Sequence, residues 1–107
     1  MNFRTHNDCD VDINGTHLQG YVNATYDKLV DVFGLPFEGD GYKVDAEWGI
    51  RFDDGTVASI YNWKNGKNYC GPEGLDVGQI TQWHVGGLFK ESVRLVQQAL
   101  QRAKEPA

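Results

Sequence analysis

Three stretches of the chain alternate hydrophobic and polar residues with a period of two, which is typical of strands with one buried face. Residues 46–52 show the clearest alternation, with Ala46, Trp48, Ile50 and Phe52 at every second position. Residues 56–63 are rich in β-branched and aromatic side chains, and residues 79–85 alternate again before Gly86 and Gly87. We therefore predict a three-stranded antiparallel meander.

The loop at residues 53–55 decides which side chains of the meander are buried. A three-residue loop, with Gly55 in a left-handed conformation, pairs Phe52 with Thr56 and places Ala58 and Ile60 on the inner face. A two-residue loop shifts the register by one residue and turns Tyr61 and Trp63 inward instead. The sequence leaves both registers open.

Two other stretches have a helical period. Tyr26, Leu29, Val30 and Phe33 form an apolar stripe, with Thr25 as N-cap, Gly34 just after the end and Pro36 preventing continuation. A second helix is predicted from about Leu88 to Lys104, with its buried side formed by Phe89, Val93, Val96 and Leu100.

The N-terminal part predicts a β-hairpin over residues 11–22, because Asn14-Gly15 is a strong signal for a type I′ turn. The segment 37–41 is expected to be a loop, residues 64–67 a turn and residues 68–78 an irregular loop. Residues 1–8 and 104–107 are expected to fray. The whole chain, 1–107, is then one α+β domain: a hairpin and a meander in a twisted antiparallel sheet, packed in two layers by two helices.

Charge is unevenly distributed along the sequence. Residues 1–54 carry eleven acidic and four basic residues, a net charge of −7, whereas residues 55–107 carry a net charge of +2. Direct DNA binding is therefore not expected, since contacts to phosphates need clustered Lys and Arg. An acidic surface would instead be attracted to basic protein surfaces, or would only keep a small domain soluble.

The sequence offers little for catalysis or metal binding. The segment Asp10–Gly15 resembles the start of a calcium loop, but Tyr21 stands where the bidentate Glu belongs. Residues His6, Cys9 and His17 lack the spacing of a zinc site, and Cys70 with His84 is a weak nucleophile–base pair. We predict no catalytic residue, no metal and no cofactor, and thus no enzymatic activity.

An aromatic group interleaved with lysines is the most suggestive feature. Its members are Tyr61, Trp63, Tyr69 and Trp83, with Lys64 and Lys67 in the same turn region. Exposed rings beside Lys stack on bases or anchor protein interfaces. The competing interpretation is that Trp63 and Trp83 only complete the core.

The chain lacks an apolar run long enough for a membrane helix and lacks a recognisable signal peptide, so a cytoplasmic location with no membrane association is expected. Cys9 and Cys70 are then reduced by default, although their pairing is not decided by sequence.

Three segments, residues 25–34, 46–64 and 83–87, resemble small hypothetical proteins encoded by bacteriophages. The resemblance covers about three-quarters of the chain, from Tyr21 to Leu100. It implies an accessory counter-defence protein in the host cytoplasm, similar to anti-CRISPR or anti-restriction inhibitors.

This leads to a first hypothesis, a non-enzymatic inhibitor that binds a host defence protein or ribonucleoprotein through an acidic and aromatic surface at Asp53, Asp54, Tyr61 and Trp63. The alternative is a protein that sequesters a nucleotide signal, as a monomer or a homo-oligomer, with Trp63, Trp83 and Tyr69 stacking on the base and Lys64, Lys67 or Arg94 meeting phosphate. A phage structural component is a third interpretation.

Overall fold

The computed structural model describes residues 2–38 and 43–102, and within them the strands form one antiparallel sheet. In the order β1-β3-β4-β5-β2, the sheet comprises β1 (Phe3–Thr5), β2 (His17–Asn23), β3 (Glu47–Phe52), β4 (Val57–Tyr61) and β5 (Gln82–Gly87). The helices are α1 (Tyr26–Phe33), α2 (Lys67–Cys70) and α3 (Glu91–Arg102), with short 3-10 helices at Gly71–Glu73 and Val77–Gln79. The α+β class and the β3-β4-β5 meander are confirmed.

The connection between β3 and β4 is the three-residue loop. The Phe52 N–H donates to the Thr56 carbonyl at 2.8 Å, and Gly55 has a φ of +89°. Trp48 therefore lies opposite Ile60, and both are fully buried. This register excludes the alternative in which Tyr61 and Trp63 enter the core.

Two tryptophans form the centre of the core and fix helix α1. Trp48 and Trp83 pack edge to face, with ring centroids 5.4 Å apart. The Trp48 indole N–H donates to the Gly34 carbonyl at 2.7 Å, and that of Trp83 donates to the Ala24 carbonyl at 3.0 Å. Since Ala24 and Gly34 flank α1, each indole holds one end of the helix.

Trp83, which we assigned to an exposed aromatic binding group, is buried in the core. Trp83 and Val85 are fully buried, whereas the residue between them, His84, is directed to the other side of the sheet. The period of two along β5 thus places Trp83 inside, and the competing core interpretation is right for this residue.

Helix α1 has the predicted ends. The Lys28 N–H donates to the Thr25 hydroxyl at 3.1 Å, and Gly34 follows the helix with a φ of +86°. Leu29 and Phe33 are buried.

Helix α3 differs from the prediction because its buried stripe begins at a serine. The helix starts at Glu91, not Leu88, and its buried residues are Ser92, Leu95, Val96, Ala99 and Leu100. The Ser92 hydroxyl donates to the Val57 carbonyl at 2.7 Å, so this buried hydroxyl has a hydrogen-bond partner. Phe89, which we expected in this stripe, precedes the helix and is 72% exposed. The predicted end of this helix, at residues 103 and 104, lies outside the described residues.

The N-terminal predictions are wrong in two respects. Asn14 and Gly15 do form a turn, but residues 11–13 are not a strand, and β2 pairs with β5 instead. Residues 3–5 do not fray, since they form β1 on the edge next to β3. Consecutive strands β1 and β2 occupy opposite edges of the sheet, so the intervening chain crosses the sheet and cannot form a local hairpin.

Two loops also contain more structure than expected. The segment 68–78 includes most of α2, one 3-10 helix (Gly71–Glu73) and the start of the other (Val77–Gln79). Strand β5 ends at Gly86 and Gly87 as predicted, but it begins at Gln82 and not at Gln79, which belongs to the second 3-10 helix. In the predicted loop 37–41, Phe37 bridges to Glu47 of β3, and residues 39–41 lie outside the described residues.

Candidate functional site

The sheet has one face covered by α3 and an opposite face, here called the open face, where a row of small residues forms a trough. Gly49, Ser59 and Gly86 lie side by side on β3, β4 and β5. A Cβ on Gly49 would lie 3.4 Å from the Cβ of Val11, and Ile13 lines a cavity of about 280 Å³ together with Ser59 and Gly86. Residues 6–16, the crossing segment, therefore pass over this small-residue row.

His6 fastens the start of the crossing segment. Its ring Nδ1 accepts from the Gly49 N–H at 3.2 Å, so the proton is on Nε2, which donates to the Leu35 carbonyl at 2.9 Å. Asp12 accepts from the Asn14 N–H at 2.9 Å, as is common in turns. Both residues thus have structural partners, and no group of three or more His, Cys, Asp or Glu suited to a metal occurs within residues 2–38 and 43–102.

Next to the small-residue row, larger side chains form an aromatic row across three strands: Tyr61, His84 and Tyr21. Tyr61 and His84 stack with centroids 5.4 Å apart, and Tyr21 meets His84 edge-on at 4.9 Å. Burial raises the pKa of Tyr61, with the negative charge of Glu47 adding to the effect. Burial lowers the pKa of His84, and its Nδ1 has no hydrogen-bond partner within residues 2–38 and 43–102, so the neutral imidazole predominates at pH 7.

A buried asparagine organises the loop beyond the aromatic row. The Asn62 side-chain oxygen accepts from the Asp45 and Ala46 N–H groups at 2.7 and 3.1 Å. Its amide nitrogen donates to Asp45 Oδ1 and Asn65 Oδ1 at 2.9 and 3.1 Å. Because Asn62 is fully buried and all four bonds are made, it holds two loop segments in one arrangement.

This loop presents an aromatic–lysine cluster, which we define as Lys43, Trp63, Lys64 and Tyr69. The Lys64 ammonium lies 5.8 Å from the centroid of Trp63 and 5.5 Å from that of Tyr69, and Lys43 lies 5.5 Å from Trp63. Lys64 has a φ of +58°, a conformation uncommon for residues other than glycine. Strained backbone of this kind is often found at functional sites.

A second surface, the acidic end, lies at the start of β4 and comprises Asp53, Asp54, Leu88 and Phe89. Asp54 shares a cavity of about 240 Å³ with Leu88 and Phe89, which are 54% and 72% exposed. The Thr56 N–H donates to Asp54 Oδ1 at 2.9 Å, and this bond lowers the pKa of the carboxyl. Two apolar side chains thus stand exposed beside the Asp54 carboxylate.

The predicted acidic and aromatic site is therefore divided. Asp53 and Asp54 precede β4, whereas Tyr61 ends it and Trp63 follows, so about 15 Å of strand separates the two groups. The remaining acids of the first half are spread over several elements; Asp27 and Asp31, for example, lie on α1. Asp54 and Trp63 thus lie at opposite ends of β4.

Several predicted residues have other partners. Lys67 forms an ion pair with Asp76 at 2.9 Å, and Arg94 pairs with Glu91 on α3. Cys9 and Cys70 are both free thiols, and Cys70 donates to the Lys64 carbonyl rather than to His84. Of the predicted nucleotide pocket, Trp83 is buried and Lys67 and Arg94 are ion-paired, whereas Trp63, Tyr69 and Lys64 do lie together.

Sequence reasoning missed Leu88 and Phe89 as surface residues. It began the last helix at about Leu88 and assigned Phe89 to the buried side of that helix. It also missed Asn62 and Lys43. A polar residue between two aromatic neighbours, as Asn62 is, was the available signal for a buried hydrogen-bonding centre.

Among the described residues, no helix combines the length and the apolar character needed to cross a bilayer. The chain matches no protein-family model and no curated protein sequence.

Proposed function

We propose that this protein acts by binding, as a non-enzymatic inhibitor of a bacterial immunity protein of the CRISPR or restriction type, and that the acidic end is its contact surface. One observation carries the proposal: Phe89 is the most exposed of the large hydrophobic side chains described, and it lines a cavity with Asp54 of the β3–β4 turn. The choice of an immunity protein as partner comes from the resemblance to phage accessory proteins.

The chemistry of this surface suits a basic partner. Asp53 and Asp54 are exposed, and Arg94, whose positive charge helps to lower the pKa of Asp54, already pairs with Glu91. Carboxylates on such a turn would compete with phosphates for a basic nucleic-acid channel. Burying the Phe89 ring would add about 2 kcal/mol to the binding free energy.

The test is inhibition of nucleic-acid cleavage by a panel of purified CRISPR effector complexes and restriction enzymes. We expect one of them to be inhibited, and inhibition to fail when its nucleic acid is bound first. F89A should weaken inhibition at least about tenfold. The control variant L35A truncates an exposed leucine outside the acidic end and should leave inhibition unchanged. No inhibition across the panel, or equal inhibition by both variants, would overturn the proposal.

A second candidate function is supported by a different observation, the position of Lys64 between two exposed rings. A nucleobase could stack on Trp63 or Tyr69 while Lys64 and Lys43 attract its phosphate. This site overlaps the predicted nucleotide pocket only at Trp63, Tyr69 and Lys64.

Calorimetry with cyclic nucleotides distinguishes the two functions. Sequestration predicts binding heat that W63A abolishes and F89A retains. Inhibition through the acidic end predicts no heat with any nucleotide.

A further inference from the structure

Strand β2 is a sheet edge of unusual composition for an acidic protein. It pairs with β5 on one side, and within residues 2–38 and 43–102 no backbone group bonds its other side. Its seven residues, His17–Asn23, include no Asp, Glu, Lys or Arg. Charged side chains are a common means by which proteins keep exposed edges from pairing.

The opposite edge of the sheet is protected in ways that β2 is not. Strand β1 has only three residues, and Arg4 on it faces Arg51 of β3. A second strand beside β1 would gain few hydrogen bonds and would meet this pair of like charges. β2 is therefore the edge available for extending the sheet.

The surface next to β2 is also poor in charge. Exposed glutamines of α3 (Gln97, Gln98 and Gln101) line a cavity of about 520 Å³ beside Val22 and Asn23. Among the described residues that line this cavity, the one with a charge is Arg94, and it is paired with Glu91. A chain of net charge −5 repels its own copy over most of its surface, but much less at this side.

The aromatic row ends at this edge. Tyr21 is the last ring of the row and is 47% exposed. A β-bulge between Leu18 and Gly20 interrupts the strand before it, so the regular edge lies around Tyr21. In an antiparallel pair related by a two-fold axis at Tyr21, the ring would face its own copy, and aromatic cross-strand pairs stabilise sheets.

From these features we infer that the protein forms a homodimer through β2, in which the strands of two copies pair antiparallel about Tyr21 and join two sheets into one. The interface is isologous, because each copy offers the same uncharged strand and glutamine-bearing helix. It is small, so we expect a dissociation constant of about micromolar order.

Sedimentation velocity on the full chain, from about 1 to about 500 µM, tests this inference. We expect a monomer–dimer equilibrium that tightens as salt rises, because salt screens the repulsion between two acidic chains. Y21K places two like charges at the axis and should abolish the dimer, whereas L35K, which introduces a lysine at an exposed residue outside the sheet, should not. A monomer at every concentration, or a dimer unaffected by Y21K, would overturn the inference.

Crosslinking decides the register and does not depend on the stability of Y21K. In a C9S/C70S background, Y21C should oxidise to a disulfide-linked dimer, whereas L35C should remain monomeric. Equal crosslinking of both variants would contradict pairing at Tyr21. Since the inhibitor proposal predicts binding that weakens with salt, the two proposals can fail separately.

Discussion

Trp48 and Trp83 lie edge to face at 5.4 Å, and their indole N–H groups donate to carbonyls at opposite ends of helix α1. The pair thus joins two strands of the sheet to the helix through both packing and hydrogen bonds. Neither ring is exposed to solvent.

W83F should therefore be strongly destabilising. It removes the donor to the Ala24 carbonyl and leaves a gap beside Trp48, so we expect the free energy of unfolding to fall by about 2–3 kcal/mol. W63F, the same substitution at an exposed ring, should change it by less than about 0.5 kcal/mol. Urea unfolding followed by circular dichroism measures both, and similar losses would contradict the burial described here.

Asn62 should be the polar residue most sensitive to substitution. N62A leaves the Asp45 and Ala46 N–H groups without their acceptor, and we expect a loss of about 2–4 kcal/mol in urea unfolding. The matched control is N23A at an exposed strand position, for which we expect about 0.5 kcal/mol or less. An equally mild effect of N62A would show that its network does not hold the loop.

The trough on the open face predicts opposite outcomes for two glycines. A Cβ on Gly86 would lie 2.6 Å from the Ser59 hydroxyl, so G86A should cost about 1–3 kcal/mol. Gly78 has open space around its Cβ position, and G78A should leave stability unchanged or raise it by about 0.5 kcal/mol. The midpoints of thermal unfolding measure both effects. Equal midpoints for G86A and G78A would contradict the close packing of the trough.

His84 should make stability depend on pH around and below its ordinary pKa of 6.5. Burial lowers its pKa in the folded chain, so the unfolded chain takes up a proton first as the pH falls. The free energy of unfolding should then decrease from about pH 7.5 to about pH 5.5, and H84Q should reduce the slope. Because His6 and His17 are present in both the wild type and H84Q, their contributions cancel when the two pH dependences are compared. Equal slopes of the free energy of unfolding against pH would refute the assignment to His84.

The sequence carried enough information for the meander and for α1 because short-range signals decide both. Alternation defines β3 and β4, and the cap at Thr25 with Gly34 defines the helix. The hairpin prediction failed since a turn signal at Asn14 does not say which strand β2 pairs with, and that choice depends on the opposite edge of the sheet.

The candidate site was less predictable for a similar reason. The position of Phe89 outside the core depends on where α3 begins, and that start is fixed by the bond from Ser92 to Val57 in another strand. The separation of Asp54 from Trp63 likewise follows from the length of β4 between them. Local composition shows which residue types are present, but not which of them meet.

The most direct test of the account is the salt dependence of the affinity for whichever immunity complex the protein inhibits. We expect the dissociation constant to rise at least about tenfold between about 50 and about 500 mM salt, and the double variant D53N/D54N to weaken binding at low salt and to remove most of this dependence. A dissociation constant that is the same at both salt concentrations, or a double variant that binds as wild type does, would contradict recognition through the acidic end.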